Sequence, residues 1–266
     1  MASLIKHNSH GIPWWKRGLD VSIILLAIPC LLPVSVALAA IIRTVSQGPI
    51  LFQQERVGYR GRRFMCLKFR TMHCGTAVVP HQKHLEKLMD SNAPMTKMDA
   101  LGDSRIIPFG RLLRASGLDE LPQLINVLKG EMSLVGPRPC LPYEAEKYLP
   151  WQKERLQAAP GLTGLWQVSG KNRTTFARMV QLDIEYARRK SLLMDLTIIL
   201  RTIPALVVQI TDLNRNALPA RISVEMAASQ ARLSPPHDGA YRLPQALGNL
   251  ERAPGDSLAG SPRVPV

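Results

Sequence analysis

From Val21 to Ile42 the chain runs for about 22 positions without a charged side chain, enough at about 1.5 Å per residue to cross a hydrocarbon core. A secretory signal would be shorter and would end at small residues, whereas this run passes into Arg43 and a basic segment. It is therefore read as a retained membrane segment. Trp14 and Trp15 suit an interfacial belt, with Lys16 and Arg17 beside them. Pro29 and Pro33 fall inside the run, and each removes a backbone donor and favours a kink. Positive charge flanks both ends, through Lys6, Lys16 and Arg17 before and Arg43, Arg56, Arg60, Arg62 and Arg63 after, so charge asymmetry picks no far side. A simple spanning helix and a hairpin that bends at Pro29 and returns both stay open on these grounds.

The rest of the chain predicts a helix-rich α/β unit with a small sheet. Ile50–Gln53 and Arg63–Phe69 read as strands joined by the Gly58–Gly61 turn. Residues 73–103 are polar and poorly periodic, so they read as loop or a short surface helix. Arg105–Arg114 suits an amphipathic helix at a headgroup layer. Leu121, Leu124, Ile125 and Leu128 follow helical spacing that Gly130 ends. Tyr143–Gln157 reads as helix, Pro160–Gly164 as a turn, Leu165–Val168 as a strand and Phe176–Arg189 as an amphipathic helix. Leu192–Ile210 is apolar enough for a second span, but Asp195, Arg201 and Pro204 make an interfacial or packed helix the better reading. After residue 212 the composition turns disorder-like. The expected division is 1–45 N-terminal segment and membrane helix, 46–212 cytoplasmic domain, and 213–266 disordered tail.

The net charge of +14 would attract phosphate-rich partners. Aromatic residues make up only 5% and none interleave the basic positions as a stacking platform, so nucleic acid is not expected as a partner. Four cysteines without paired spacing fit a reduced, cytosol-facing chain. Cys66, Cys74, His81 and His84 could be read as a zinc set, but the tight cysteine pair of structural sites is missing and ordinary thiols are the simpler reading.

The most informative stretch is Ser116–Gln123. Ser116 can cap a helix and Pro122 is tolerated near a helix start, which puts Asp119 and Glu120 at or beside a helix N-terminus. Carboxylates there stay ionised and phosphate oxygens are welcome, so Asp119 is placed as a nucleophile; acidic residues that merely complement the helix dipole have the same signature. Lys68, Arg70, Arg114 and the Pro137-Arg138-Pro139 stretch add basic points. Arg can hold phosphate bidentately, and flanking prolines fix the path of Arg138. Lys68 and Arg114 are equally readable as surface charges or anchors to anionic lipid.

The run Gly48–Gly58, then Lys68–Met72, Ser116–Gln123, Asn126–Pro139 and Pro160–Val168, preceded by Lys16-Arg17-Gly-Leu-Asp20, resembles the bacterial sugar transferases, the monotopic polyprenyl-phosphate phosphoglycosyl transferases. The likeness covers roughly residues 14–210 and leaves the tail outside. It implies a re-entrant membrane helix broken at Pro29, a nucleophile at Asp119, a partner carboxylate at Glu120 and a Mg²⁺ ion held by Glu120 and Asp119. It further implies substrate binding by Lys68, Arg70, Arg114, Pro137, Arg138 and Pro139. The reaction implied moves a sugar 1-phosphate from a UDP-sugar to polyprenyl (undecaprenyl) phosphate with release of UMP. That is the first membrane step of exopolysaccharide or O-antigen synthesis, at the cytoplasmic face of the bacterial inner membrane. Gly170–Phe176 leans the donor toward a hexose by the same likeness. One departure concerns the hairpin: relatives often carry Ser before the helix-breaking proline, and this chain has Ile28. Longer relatives place spanning helices first, and this chain looks like the minimal catalytic form. The competing reading is a noncatalytic adaptor whose basic face binds anionic lipid or nucleic acid.

Overall fold

The computed structural model describes residues 11–73, 79–91, 93–95 and 105–233; the side chains of 79–83, 172 and 213–233 lie outside that description. Met1–Ile222 form one compact unit. Helix α1 spans Trp14–Val45, and its backbone stays helical through Pro29 and Pro33. The expected interruption at Pro29 is thus not a break of secondary structure. Each proline frees only one carbonyl, and a long helix in apolar surroundings keeps its other bonds. Lys16, Asp20 and Ile24 are buried near its start, and Leu38 and Ile42 near its end. Ile24 packs in a core with Val127, Met132, Leu134, Tyr186 and Ile198, while Leu38 and Ile42 pack with Phe69, Ile107 and Leu113. Between these anchors Leu26, Leu32 and Val36 are exposed. Both ends of the apolar helix therefore rest on the body while its middle stands clear.

Strands β1 (Leu51–Val57) and β2 (Arg63–Phe69) pair antiparallel, with Leu51 opposite Phe69 and Val57 opposite Arg63. A 3₁₀ turn at Tyr59–Gly61 joins them, so the predicted hairpin is present with a longer first strand. Helix α2 (Val79–Asp90) buries Leu85 and Leu88. Helix α3 spans only Gly110–Ser116, because Phe109 has left-handed φ 63° and blocks an earlier start. Phe109, just before α3, and Leu112 within it are exposed. After a 3₁₀ turn at Leu118–Glu120 comes α4 (Gln123–Lys129) and then β3 (Ser133–Val135).

The predicted Tyr143–Gln157 helix is divided into α5 (Pro142–Glu146) and a 3₁₀ segment from Pro150, whose ring cannot continue a helix. The Pro160–Gly164 turn and Leu165–Val168 strand are also redrawn. Gly161–Thr163 forms β4, pairing parallel to β3, and Leu165–Val168 is a helical turn, α6. A short apolar run has no period of its own, so the edge of β3 decides which residues extend. Helix α7 (Phe176–Arg189) carries the predicted amphipathic stripe, and Met179, Val180, Leu182, Ile184 and Tyr186 are buried. Helix α8 runs Leu192–Leu233, past residue 212. Helix α1 and residues Leu192–Asp212 are each long and apolar enough to cross a membrane. Helix-rich architecture, small paired strands and an N-terminal apolar helix are thus all present.

Asp195, the charge that argued against a span, is buried against Lys16 and accepts a hydrogen bond from the Tyr186 hydroxyl at 2.7 Å. Asp20 accepts from the Leu134 backbone at 3.0 Å, and the Arg17 guanidinium donates to the carbonyls of Val127 and Leu128. Those carbonyls lie in the last turn of α4, where positive charge is favoured.

Candidate active site

The carboxylates of the Ser116–Gln123 stretch sit on a turn between two helices rather than inside one. Ser116 closes α3 instead of capping the next helix: its hydroxyl donates to the carbonyls of Leu112 at 2.9 Å and Leu113 at 3.1 Å. Gly117 follows in the left-handed region at φ 74°, where a side chain would be strained. Leu118–Glu120 then make one 3₁₀ turn, and Pro122 leads into α4. Asp119 is buried, and Glu120 is partly exposed and accepts from Lys68 at 2.7 Å.

Asn126 sets the distance between that turn and Lys68. Its amide donates to the Met65 carbonyl at 2.8 Å, and its oxygen accepts from the Leu67 backbone at 3.0 Å. The amide also reaches Glu131 at 2.7 Å, and the side chain is fully buried. One residue of α4 thus grips β2 on either side of Cys66, two positions before Lys68, which fixes the register of cation and carboxylates.

The Pro137-Arg138-Pro139 stretch is held carbonyl by carbonyl. The Pro137 oxygen accepts from the Gly161 backbone at 2.9 Å, Arg138 from the Arg155 guanidinium at 3.1 Å, Pro139 from Arg56 at 3.0 Å and Cys140 from the Val57 backbone at 2.9 Å. Gly136 and Gly161 meet backbone to backbone. A Cβ on Gly136 would lie 2.3 Å from the Ala159 oxygen, and one on Gly161 2.0 Å from the Gly136 nitrogen.

The Arg138 side chain reaches Glu144 at 3.2 Å. Glu144 is fully buried and also accepts from the Tyr148 hydroxyl at 2.6 Å and the Leu141 backbone at 3.2 Å. Arg155, also fully buried, pairs with Glu144 at 3.5 Å, with the Tyr148 hydroxyl and with Asp183. Burial alone would raise the Glu144 carboxyl, but the guanidiniums of Arg138 and Arg155 with these hydrogen bonds hold it below the ordinary value. Burial pushes Asp183 up to about 6 against the pull of Arg155.

Cys66 links the two clusters. Its thiol is pushed up first by burial, and it feels Lys68, Arg56, Glu120 and Arg138 together. Sequence-predicted Lys68, Asp119, Glu120 and Arg138 therefore gather in one region. Arg70 goes elsewhere, donating to the carbonyls of Ser46 at 2.8 Å and Gln47 at 2.5 Å just beyond α1. Arg114 lies in the last turn of α3, and its carbonyl accepts from Gln209 of α8 at 3.1 Å. Lys171, which sequence reasoning did not single out, lies within the field of both Glu120 and Asp119. Burial, with Lys68 nearby, sets its ammonium below the ordinary lysine value despite those carboxylates. Its signal in the sequence was the Gly170-Lys171-Asn172 turn ahead of α7. The zinc reading loses its anchor because Cys66 is a core residue of β2, while Cys74 lies outside the described residues.

The profile of the bacterial sugar transferase family matches residues 12–209, which span the apolar helix, both clusters and the start of α8. The chain belongs to that family. Among curated relatives of this bacterial sugar transferase, the exopolysaccharide production protein ExoY of Sinorhizobium fredii is 40% identical over 195 residues, covering 71% of this chain and 84% of that one. The UDP-glucose:undecaprenyl-phosphate glucose-1-phosphate transferase of Caulobacter vibrioides is 41% identical over 199 residues, 72% of this chain and 69% of its own. The undecaprenyl-phosphate galactose phosphotransferase of Salmonella typhimurium is 42% identical over 161 residues, 58% of this chain and 33% of its own.

Proposed function

We propose that this sugar transferase moves a hexose 1-phosphate from a UDP-sugar to undecaprenyl phosphate, releasing UMP, in the first membrane step of exopolysaccharide or O-antigen synthesis. The observation that carries the reading is the buried Asp119 carboxylate beside Glu120, which is paired to Lys68 across a register that Asn126 fixes. In the first step an Asp119 carboxylate oxygen attacks the sugar-bearing β-phosphorus. The new O–P bond forms as the bond from that phosphorus to the bridging oxygen breaks, and UMP leaves with the electron pair. In the second step an oxygen of undecaprenyl phosphate attacks the same phosphorus, the acyl phosphate O–P bond breaks and the Asp119 carboxylate returns. A covalent intermediate lets two anionic substrates be met one at a time. Lys68 and Arg138 oppose the negative charge of the diphosphate and of the transition state. The hold on the carbonyls of residues 137–140 keeps Arg138 in place while substrate arrives.

Adjacent carboxylates are hard oxygen donors, and Mg²⁺ commonly takes only one or two of them together with water and substrate phosphate. Among the described residues no group of three or more potential ligands gathers; Asp119 and Glu120 would supply one or two oxygens, with water and substrate phosphate supplying the rest. When bound there, Mg²⁺ would screen phosphate charge.

Two features support a re-entrant α1 with both flanks on the cytoplasmic side of the inner membrane. Its ends dock on one body while its middle is exposed, and Pro29 and Pro33 leave carbonyls of the middle without helix donors. The exposed Leu193, Leu200, Ile203 and Val207 of α8, with Phe109 just before α3 and Leu112 of α3, suit seating of the body on the same leaflet. Purified full-length protein in bilayer discs, given Mg²⁺, undecaprenyl phosphate and a panel of UDP-sugars, tests the reading. UMP release with a UDP-hexose is expected. Silence across the panel would favour the noncatalytic adaptor, and preference for an N-acetylhexosamine donor would overturn the hexose assignment.

A further inference from the structure

Lys171 occupies a costly piece of backbone. It has φ 38°, directly after Gly170 at φ 109°, and a non-glycine residue in the left-handed region persists only where its surroundings hold it. The holding groups are visible. The Thr174 hydroxyl donates to the Lys171 carbonyl at 2.7 Å, and the Arg173 backbone donates to Gly170 at 2.8 Å. At the other end of the side chain, the ammonium donates to the Gln209 oxygen at 2.6 Å. Gln209 in turn donates through its amide nitrogen to the Arg114 carbonyl at 3.1 Å, so both ends of the amide are engaged. One turn earlier on α8, Leu206 lies 3.4 Å from where a Gly117 side chain would begin, immediately before the Leu118–Glu120 turn. The long apolar helix α8 thus rests on the segment that carries Asp119 and hands Lys171 into the field of the two carboxylates.

An ammonium has three donors, and the bond to Gln209 uses one. We propose that Lys171 is a substrate-binding residue of the transfer site, donating to oxygens of the sugar-bearing phosphate, and that Gln209 is the positioning residue that holds its ammonium there. This rests on the transferase reading above. It gives the site a cation from the loop before α7, in addition to Lys68 of β2, and it makes seating of α8 a condition for placing that cation.

Lys171→Met, Lys171→Arg and Gln209→Leu are compared with wild type as full-length protein in bilayer discs with Mg²⁺. Two readouts are used: calorimetric affinity for UDP against UMP, and the rate of phosphosugar adduct formation from UDP-glucose or UDP-galactose. Losing a charge-assisted hydrogen bond predicts roughly 10- to 100-fold slower adduct formation in Lys171→Met. UDP affinity should fall about tenfold and UMP affinity less than about twofold, since UMP lacks the phosphate concerned. Lys171→Arg should recover part of the loss. Gln209→Leu should slow wild type by about tenfold and add nothing on the Lys171→Met background, a coupling that general destabilisation would not produce. Unchanged UDP affinity and adduct rate in Lys171→Met would overturn the inference, as would independent, multiplying losses for Gln209. If wild type forms no adduct with either sugar yet Lys171→Met selectively weakens UDP, the transferase reading falls and the anion site stands. If wild type binds no UDP, both fall.

Discussion

Glu144→Gln should cost far more than its isosteric shape suggests. The Glu144 carboxylate is fully buried and faces two guanidiniums, Arg138 at 3.2 Å and Arg155 at 3.5 Å, with Asp183 as the other acidic partner of Arg155. Neutralising it leaves Arg138 without that counter-charge and obliges the amide to meet donors from Tyr148 and Leu141 that a carboxylate accepts freely. Breaking a buried pair of this kind costs about 3–5 kcal/mol. A domain of this size loses about 2–4 °C per kcal/mol, which predicts a fall of roughly 6–20 °C in melting temperature. The pH dependence has a definite sign. A carboxyl held below its unfolded value of 4.5 contributes stability that is complete above that pH and is lost as pH falls through the lower folded value. Wild type should therefore destabilise steeply below about pH 4.5, and Glu144→Gln should start lower and show a flatter acid limb. Melting in detergent micelles or bilayer discs between pH 3 and pH 8 reads both effects. A variant that melts within about 1 °C of wild type at pH 7, or keeps the full acid limb, would refute the reasoning.

Asn126→Leu should lose about 2–4 kcal/mol and most transfer activity, because the Met65 carbonyl and Leu67 backbone nitrogen lose their buried partner; normal activity in a folded variant would show that the β2–α4 register does not matter. Gly136→Ala should fail to fold or melt far lower, since its Cβ would press on the Ala159 carbonyl at 2.3 Å, whereas Gly18→Ala, with nothing within 4 Å, should be silent in the same melt. Asp195→Asn should loosen the start of α1 by removing the ion-pair partner of buried Lys16, read as faster tryptic cleavage at Lys16 and Arg17; an unchanged digestion pattern would count against that anchor.

The elements that were legible in the sequence are those with a strong local period or punctuation. The β1–β2 hairpin has alternating residues around a glycine turn, and α4 and α7 have helical stripes with clear ends. Elements defined by neighbours were misread. The segment around Gly161 has no strand signal of its own and extends only because β3 offers an edge, while Ser116 looks like an N-cap but closes the preceding helix. At the site, the order of motifs located Lys68, Asp119, Glu120 and Arg138 without their partners. The Glu144–Arg155–Asp183 network joins charges that each look like a solvated helix face. One clue was present: Asp183 falls on the apolar stripe of α7 between Met179 and Tyr186, where a charge needs a buried counter-charge. Asp195 carried the same clue, and its partner Lys16 lies 179 positions away, beyond any local pattern.

The central claim is that Asp119 becomes covalently phosphoglycosylated. Incubating the full-length protein with Mg²⁺ and a UDP-hexose, without polyprenyl phosphate, and mapping the product by peptide mass spectrometry tests it directly. The expected result is a hexose-phosphate adduct on Asp119 in stoichiometric step with UMP release, absent in Asp119→Asn although that variant still binds UDP-sugar, and discharged on adding undecaprenyl phosphate. UMP release only when both substrates are present, with no adduct at any residue, would contradict it, as would near-normal turnover by Asp119→Asn.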